Sequence, residues 1–348
     1  MRHAASSLAI LLAATTALAA PPASPPPLAG KALSERTALL APIQVDSLTL
    51  TPVVATGPTD PTGDQLLVLD EAMAAKQVTI KEISDGTVNS LTFVNKAPQP
   101  VFLLAGEVII GGKQDRIIGR NTVIPANTTQ EVPVYCVEHG RWTVETKQFA
   151  SARALAHGRL RGQASYAAQQ DVWNEVAAKN VARKTATPSD TYRKVAQQQS
   201  DGTLATMENQ VDAALARLPA ADRSRMVGYA VALNGSLATV DVFGSPALFK
   251  KLETKLVRSY LTEAVDVRAR PNIEPPTAAD VKAFMADADK AAESRSYDTG
   301  AADTMVKRGD KAFKAKVGYK RLPPAKPDGQ AAAAPAPEPT VYENYQAR

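Results

Sequence analysis

The chain has 348 residues, of which 45% are hydrophobic and 22% are charged, and its 40 basic and 35 acidic side chains leave a net charge of +5. A chain of this length and composition can bury a substantial core. The mild, scattered positive charge does not favour nucleic acid as a partner, because nucleic-acid binding is usually marked by clustered Lys and Arg. Cys136 is the only cysteine, which excludes an intramolecular disulfide.

The N-terminus has the pattern of an export signal. Arg2 precedes an apolar run from Leu8 to Leu18, and Ala17 and Ala19 fit a small-residue cleavage site. The run is about half of the roughly 20 residues that a spanning helix needs, and no later stretch is long and apolar enough to cross a bilayer. We therefore expect a signal peptide over residues 1–19, cleavage near Ala19, and a periplasmic or secreted protein without a membrane span.

Proline-rich segments flank the rest of the chain. Residues 20–40 contain the sequence PPASPPPLA, and residues 321–348 contain PPAKPDGQAAAAPAPEP. Such segments bury too little apolar surface to fold by themselves, so we expect a leader over 20–40 and a disordered tail over 321–348. A single α+β domain is predicted between them, over residues 41–320.

The first part of this domain, residues 45–150, is predicted to be β-rich and mainly antiparallel. Short alternating or β-branched runs bounded by Gly, Pro, Asn and Asp recur along it, which is typical of strands. The predicted strands are Leu48 to Val54, Gln65 to Leu69, Val78 to Glu82, Asn89 to Asn95, Val101 to Ala105, Glu107 to Ile110, Asp115 to Ile118 and Glu131 to Val137.

The second part, residues 165–292, is predicted to contain helices and one β-hairpin. Helical spacing of apolar residues predicts helices over 167–184, 190–199, 203–218 and 278–292. Asn234-Gly235 lies between two apolar runs within 226–244 and predicts a hairpin with a type I′ turn. Ser245 and Pro246 then have the types favoured at the N-cap and first turn of a further helix.

The strongest functional signal lies between Gly106 and Trp142. Here GEVIIGGKQDR and VPVYCVEHGRW place many polar side chains in glycine-punctuated strands, and such groups are costly to bury unless they pair or bind a ligand. The candidate ligand-binding residues are Lys113, Gln114, Arg116, Arg141 and Trp142. The candidate catalytic residues are Glu107, Glu138 and Cys136. We leave Asp115 out of the site, because its negative charge would repel a phosphate.

Two interpretations of this cluster stay open. In the first, Arg116 and Arg141 pair with Glu107 and Glu138 and hold strands together as a structural ion-pair network. In the second, the cations, the amide of Gln114 and the backbone at the adjacent glycines converge on an anionic ligand. The glycines do not form a Walker motif or a GxGxxG motif, so a standard phosphate loop is excluded.

Cysteine and metal chemistry are weaker hypotheses. Cys136 as a nucleophile needs a base or cation to lower its pKa, and His139 lies three residues away. A lone cysteine in an apolar strand is more often a small buried hydrophobic residue. The histidines, His3, His139 and His157, have no metal-ligand spacing, so neither a metal site nor a cofactor is predicted.

The segments GEVIIGGKQDR, IPANTTQEVPVYCVEHGRW, QDVWNEV and DVFGSPALFKKLETKLVRSY resemble the ARG and Rhodanese-Phosphatase-superfamily-associated Protein domain family. The resemblance covers roughly residues 48–267 and implies a role linked to NAD-derived or ADP-ribose-like molecules, through gene association with ADP-ribosylglycohydrolases. By position, its pattern falls on the residues already singled out as candidates, together with Gly112 and Gly140.

Taken together, these patterns favour an exported binding or regulatory module for a small anionic ligand, possibly related to NAD or ADP-ribose, over an enzyme. One alternative is a hydrolase with Glu107 or Glu138 as general base. The other is a structural envelope protein in which the cluster is an internal ion-pair network.

Overall fold

The computed structural model describes residues 32–84, 86–166, 168–299, 302–320 and 339–348. The strands are β1 (Thr37–Leu39), β2 (Ile43–Val45), β3 (Leu48–Ala55), β4 (Leu67–Val68), β5 (Val78–Lys81), β6 (Ser90–Asn95), β7 (Val101–Leu103), β8 (Glu107–Gly112), β9 (Arg116–Ile118), β10 (Thr122–Ile124), β11 (Thr129–Cys136), β12 (Thr146–Leu155), β13 (Met226–Leu233), β14 (Ser236–Phe243), β15 (Glu293–Asp298), β16 (Ala302–Arg308), β17 (Ala312–Tyr319) and β18 (Thr340–Ala347). The helices are α1 (Leu69–Ala74), α2 (Gly158–Tyr166), α3 (Gln169–Arg183), α4 (Arg193–Gln197), α5 (Gly202–Leu215), α6 (Ala220–Arg223), α7 (Pro246–Ala264) and α8 (Ala278–Lys290). The architecture is α+β, as the sequence predicts.

The largest sheet is antiparallel and combines strands from both ends of the chain. Its order is β1-β3-β13-β14-β18-β17-β16-β15, and β2 also pairs with β3. Helices α5 and α7 contribute apolar side chains to the core on one face, whereas α8 contributes to the core on the other. The sheet is therefore buried on both sides along its centre.

The predicted hairpin forms the middle of this sheet. Asn234 and Gly235 have positive φ angles of 48° and 81°, as a type I′ turn requires, and β13 and β14 pair on either side of them. The following helix also begins as predicted, because the side chain of Ser245 accepts a hydrogen bond from the N–H of Leu248, and Pro246 occupies the first turn.

A second sheet carries the polar cluster. Its order is β12-β8-β9-β11-β6-β5, and its end strands β12 and β5 lie next to each other, so it curls into a barrel. Every second residue of the strands points inward, and these side chains fill the interior together with residues of α1 and β7. Helices α2, α3 and α4 pack on the outside of the barrel. A small sheet of β10, β7 and β4 completes the fold.

One predicted strand needs correction. The strand predicted over 65–69 is instead the end of a 3₁₀ turn (Pro61–Gln65), the short β4 and the start of α1. The side chain of Asp60 caps the 3₁₀ turn, and that of Glu71 accepts a hydrogen bond from the N–H of Val68 at the start of α1. These local hydrogen bonds favour helical turns over a longer strand.

Both terminal segments contain some regular structure among the described residues. Part of the leader predicted over 20–40 is structured, as a 3₁₀ turn (Leu33–Arg36) and β1. The tail predicted over 321–348 ends in β18, which inserts between β14 and β17. Val341, Tyr342 and Tyr345 of β18 are buried and pack into the core. Residues 1–31 and 321–338 lie outside the described residues.

Candidate functional site

The polar cluster lies at one end of the barrel interior. Arg116 on β9 pairs directly with Cys136 on β11, so the two side chains share a face of the sheet. Ile118 and Val134, two residues further along each strand, belong to the interior core. Arg116 and Cys136 therefore point into the barrel, and we call this end, with Glu82, Gly112, Lys113 and Trp142, the barrel mouth.

Arg116 is fully buried, and its guanidinium is incompletely paired. Its Nη1 donates to the carbonyl of Asp115 at 3.5 Å, whereas Nε and Nη2 have no hydrogen-bond partner among the described residues. Burial lowers the pKa of Arg116 below its ordinary value, although Cys136 and Glu82 act in the opposite direction. Nε and Nη2 form the edge of a guanidinium that binds a carboxylate or phosphate through two parallel hydrogen bonds.

Glu82 supplies an unpaired acceptor at the same mouth. Its Oε1 accepts a hydrogen bond from the N–H of Lys113 at 2.9 Å, while its Oε2 is buried without a partner among the described residues. A β-carbon placed on Gly112 would lie 2.7 Å from Oε1, which shows how tightly the backbone approaches this carboxylate. The mouth thus contains an unpaired donor edge and an unpaired acceptor.

Trp142 and Lys113 form the outer part of the mouth. The Trp142 ring lies 5.9 Å from the guanidinium carbon of Arg116 and 5.2 Å from Nζ of Lys113, within the range of cation–π contacts. Trp142 is 44% exposed, so it borders the buried Arg116 on the solvent side. Trp173, the other tryptophan, packs edge-to-face against the His139 ring, with the two ring centroids 4.4 Å apart.

Arg141 is paired within the protein. Its Nε and Nη2 donate to the two carboxylate oxygens of Glu138 at 2.9 and 2.6 Å, and its Nη1 donates to the carbonyls of Gly112 and Thr143. Burial alone would raise the pKa of Glu138, but hydrogen bonds from Arg141 and from the Asp115 backbone hold it below its ordinary value. This pair matches the structural interpretation of Arg141 and Glu138.

Gln114 is also engaged internally. Its Nε2 donates to the backbone carbonyl of Glu138 at 2.7 Å, and its side chain is buried. This hydrogen bond from Gln114 holds the turn that follows β11 next to the barrel mouth, so the amide nitrogen already has a backbone acceptor.

Asp115, which the sequence interpretation left out, is the centre of an ion-pair network. Its carboxylate accepts hydrogen bonds from Nε and Nη2 of Arg193 at 2.9 and 2.7 Å, and from the hydroxyl of Thr191. Arg193 also pairs with Glu145 at 2.5 Å. The charge of Asp115 is thus balanced by a residue on α4, 78 positions away, which no local motif in the sequence identifies.

Cys136 is a buried thiol without an activating base. It donates a hydrogen bond to the carbonyl of Val88 rather than to His139, and burial raises the pKa of the thiol to about 11. Both the backbone N–H and the carbonyl of Cys136 are bound by the side chain of Gln169 on α3. A thiolate nucleophile at neutral pH is disfavoured by this environment.

Glu107 lies away from the barrel mouth. Its Oε1 accepts a hydrogen bond from Nζ of Lys255 on α7 at 2.7 Å, and Lys255 also pairs with Asp70 at 2.6 Å. Burial raises the pKa of Glu107, although Lys255 opposes this. The pairing of Glu107 with Arg116 or Arg141, one of the two interpretations of the cluster, is not found, because Lys255 from another element pairs with that carboxylate.

Metal and membrane features are not found among the described residues. No three His, Cys, Asp or Glu side chains in this part of the chain are grouped as a metal ion requires. Among the described helices, none combines the length and apolar character needed to span a bilayer.

The comparisons with known proteins give one match. Residues 36–321 match the model of the ARG and Rhodanese-Phosphatase-superfamily-associated Protein domain. Neither the curated proteins nor the solved structures include a match to this chain. Because the matched region covers most of the sequence and contains the barrel mouth and its network, the chain belongs to the ARG and Rhodanese-Phosphatase-superfamily-associated Protein domain family.

Proposed function

We propose that the protein is a binding or regulatory module for a small anionic ligand that docks at the barrel mouth. The observation that carries this proposal is the unpaired Nε and Nη2 edge of the fully buried Arg116. A buried charge without a partner is costly to the folded state. An anion that accepts both hydrogen bonds removes this cost, so the arrangement favours binding.

The buried Oε2 atom of Glu82 limits which anionic ligands fit the site. Glu82 Oε2 needs a donor, whereas Arg116 needs an acceptor. A phosphate or carboxylate with a neighbouring hydroxyl satisfies both, as in a ribose phosphate or an ADP-ribose-like molecule. The nearby Trp142 ring offers a surface for the ring of such a ligand, and Lys113 adds positive charge.

This assignment divides the predicted ligand-binding residues into two groups. Arg116, Lys113 and Trp142 contact the ligand directly. Arg141 and Gln114 act as supports, because their donors are committed to Glu138 and to backbone carbonyls. The ligand reaches Arg116 past the exposed Trp142 side chain.

The hydrolase alternative has less support at this site. Glu138 is held ionised in a bidentate pair, and the Cys136 thiol has a raised pKa, so neither has the environment of a typical catalytic base or nucleophile. We also propose export of the protein, from the pattern of residues 1–19, which lie outside the described residues.

A thermal-shift titration tests the proposal. Wild-type protein is titrated with ribose 5-phosphate, ADP-ribose, NAD and inorganic phosphate, and the Arg116→Gln variant is titrated in parallel. A ligand that binds only the folded state raises the melting temperature in a concentration-dependent manner. We expect a shift with ribose 5-phosphate or ADP-ribose in the wild type and none in Arg116→Gln.

The matched control is Arg217→Gln, because Arg217 is an exposed arginine outside the barrel mouth. The control should keep the full shift. The proposal is wrong if none of these compounds raises the melting temperature of the wild type. It is also wrong if they raise the melting temperature of Arg116→Gln by the same amount.

A further inference from the structure

A separate cavity of about 300 Å³ lies on the outside of the barrel, between β11, β15 and the start of α3. Tyr135 and Cys136 are consecutive on β11, so their side chains point to opposite faces of the sheet. Tyr135 lines the outer cavity, whereas Cys136 points to the barrel mouth. The two sites are therefore separated by the thickness of one strand.

The cavity has a strong charge bias. Arg120 and Arg295 both line it, and none of its lining residues is Asp or Glu. Ala168 and Gln169, at the N-terminal end of the 15-residue α3, also line it. The first turn of a helix carries partial positive charge, which adds to that of the two arginines.

Arg120 is held in position by an aromatic ring. Its guanidinium carbon lies 3.3 Å from the centroid of the Tyr297 ring on β15. Burial lowers the pKa of Arg120, and the Tyr297 side chain acts in the opposite direction by charge and by a hydrogen bond. The guanidinium is thus partly desolvated and stacked, with no carboxylate among the lining residues to neutralise it.

The remaining walls suit a ring. Tyr135 and Tyr297 are joined by the apolar side chains of Pro133 and Ala164, and Asn89 offers an amide group. A volume of about 300 Å³ lies at the lower end of the usual range for small-molecule sites. The space therefore fits a single ring with one charged group.

We propose that this cavity is a second ligand site, which binds a small aromatic anion through Arg120 and Arg295. The anionic group lies between the two guanidinium groups and the first turn of α3. The ring packs against the tyrosines and the apolar wall. This site is independent of Arg116 and does not require the barrel mouth to bind anything.

Calorimetric titration with phenyl phosphate tests this proposal, with inorganic phosphate and phenol as the two halves of the probe. We expect phenyl phosphate to bind more tightly than either half. Arg295→Gln should weaken its binding by at least about tenfold, because a charge-assisted contact is lost. Arg295 is exposed, so this variant should fold normally. Arg120→Gln should weaken binding at least as much.

Two further variants separate this site from the barrel mouth. Arg116→Gln and the exposed control Arg217→Gln should bind phenyl phosphate as the wild type does. Three results would overturn the proposal: no measurable heat with the wild type, unchanged affinity in Arg295→Gln and Arg120→Gln, or loss of binding in Arg116→Gln alone. The last result would assign phenyl phosphate to the barrel mouth.

Discussion

Arg116 and Arg193 are two arginines of the same cluster with opposite roles in the unliganded protein. Two nitrogen atoms of Arg116 have no hydrogen-bond partner in the described part of the chain, whereas Arg193 binds the buried carboxylate of Asp115 through two hydrogen bonds. An unpaired buried charge destabilises the folded state, while removal of one partner from a buried pair leaves the other uncompensated. The same substitution should therefore have different effects at the two positions.

We predict that Arg116→Gln leaves the free energy of unfolding unchanged or raises it, and that Arg193→Gln lowers it by about 3 kcal/mol. Urea unfolding of the two variants without ligand measures both values. A large loss of stability in Arg116→Gln would instead make Arg116 a structural residue and remove the main support for the binding site.

Cys136 provides a test of reactivity at the same mouth. Because the thiol is buried and its pKa is raised to about 11, we predict that it does not react with a thiol reagent such as DTNB in the folded protein at pH 8. In denaturant it should react fully. Rapid, stoichiometric labelling of the folded protein would contradict this and restore Cys136 as a candidate nucleophile.

The residues of the site could be predicted from the sequence only in part. The density of polar groups between Gly106 and Trp142 predicts Arg116 as a candidate. Glu82 and Arg193 could not be found, because they reach the cluster through strand pairing and helix packing rather than through spacing. Asp115 was excluded on its charge alone, and the sequence did not show that Arg193 neutralises it.

At the scale of elements, β18 connects the end of the chain to its core. The hydroxyl of Tyr342 binds the buried carboxylate of Asp241, which also pairs with Arg161 at 3.0 Å. Glu343 pairs with Lys314 on β17 at 2.9 Å. The strand therefore supplies both apolar contacts and hydrogen bonds in the centre of the largest sheet.

We predict that Tyr342→Phe lowers the free energy of unfolding by about 1–3 kcal/mol, because Asp241 and Arg161 lose a buried hydrogen-bond partner. Tyr319→Phe, at a partly buried tyrosine on the neighbouring strand, should change it by less than about 0.5 kcal/mol. Chemical denaturation of the two variants makes the comparison. If Tyr342→Phe and Tyr319→Phe had the same free energy of unfolding, the hydrogen bonds of Tyr342 on β18 would contribute little to the stability of the folded protein.

Element predictions succeeded where the signal was local. The Asn234-Gly235 turn and the Ser245-Pro246 helix start each depend on two adjacent residues, and both are confirmed. The strand β18 was not predicted, because the Pro/Ala-rich composition before it outweighed the short β-branched and aromatic stretch from Val341 to Tyr345. The strand β12 was not predicted, since few of its residues are β-branched and many are exposed.

At the scale of the whole molecule, paired carboxylates control stability in acid. Burial alone would raise the pKa values of Glu138 and Glu175, but hydrogen bonds from Arg141 and His157, respectively, hold them below the ordinary 4.5. A carboxyl group whose pKa is lower in the folded than in the unfolded protein stabilises the folded state at pH values above the pKa of the unfolded protein. This contribution is lost as the pH falls below 4.5 towards the folded value.

We predict that the stabilisation of the folded state by Glu138 and Glu175 is lost steadily between pH 5 and pH 3. Glu138→Gln should lower the free energy of unfolding by about 2 kcal/mol at pH 7, because Arg141 loses its ionised acceptor. The difference in this free energy between the variant and the wild type should become smaller below pH 4. Urea unfolding across this range is the measurement, with Glu274→Gln at an exposed site as control. A difference that stays constant with pH would contradict the assigned role of Glu138.

The proposed site depends on the binding of an anion by Nε and Nη2 of Arg116. NMR of the arginine Nε–Hε groups tests it most directly, with the Arg116 signal assigned by its loss in Arg116→Gln. On titration with ribose 5-phosphate, we expect a saturable downfield shift of the Arg116 signal and slower exchange of its hydrogen with solvent, while the Arg193 signal stays in place. An Arg116 signal that does not move at any ligand concentration would contradict the claim.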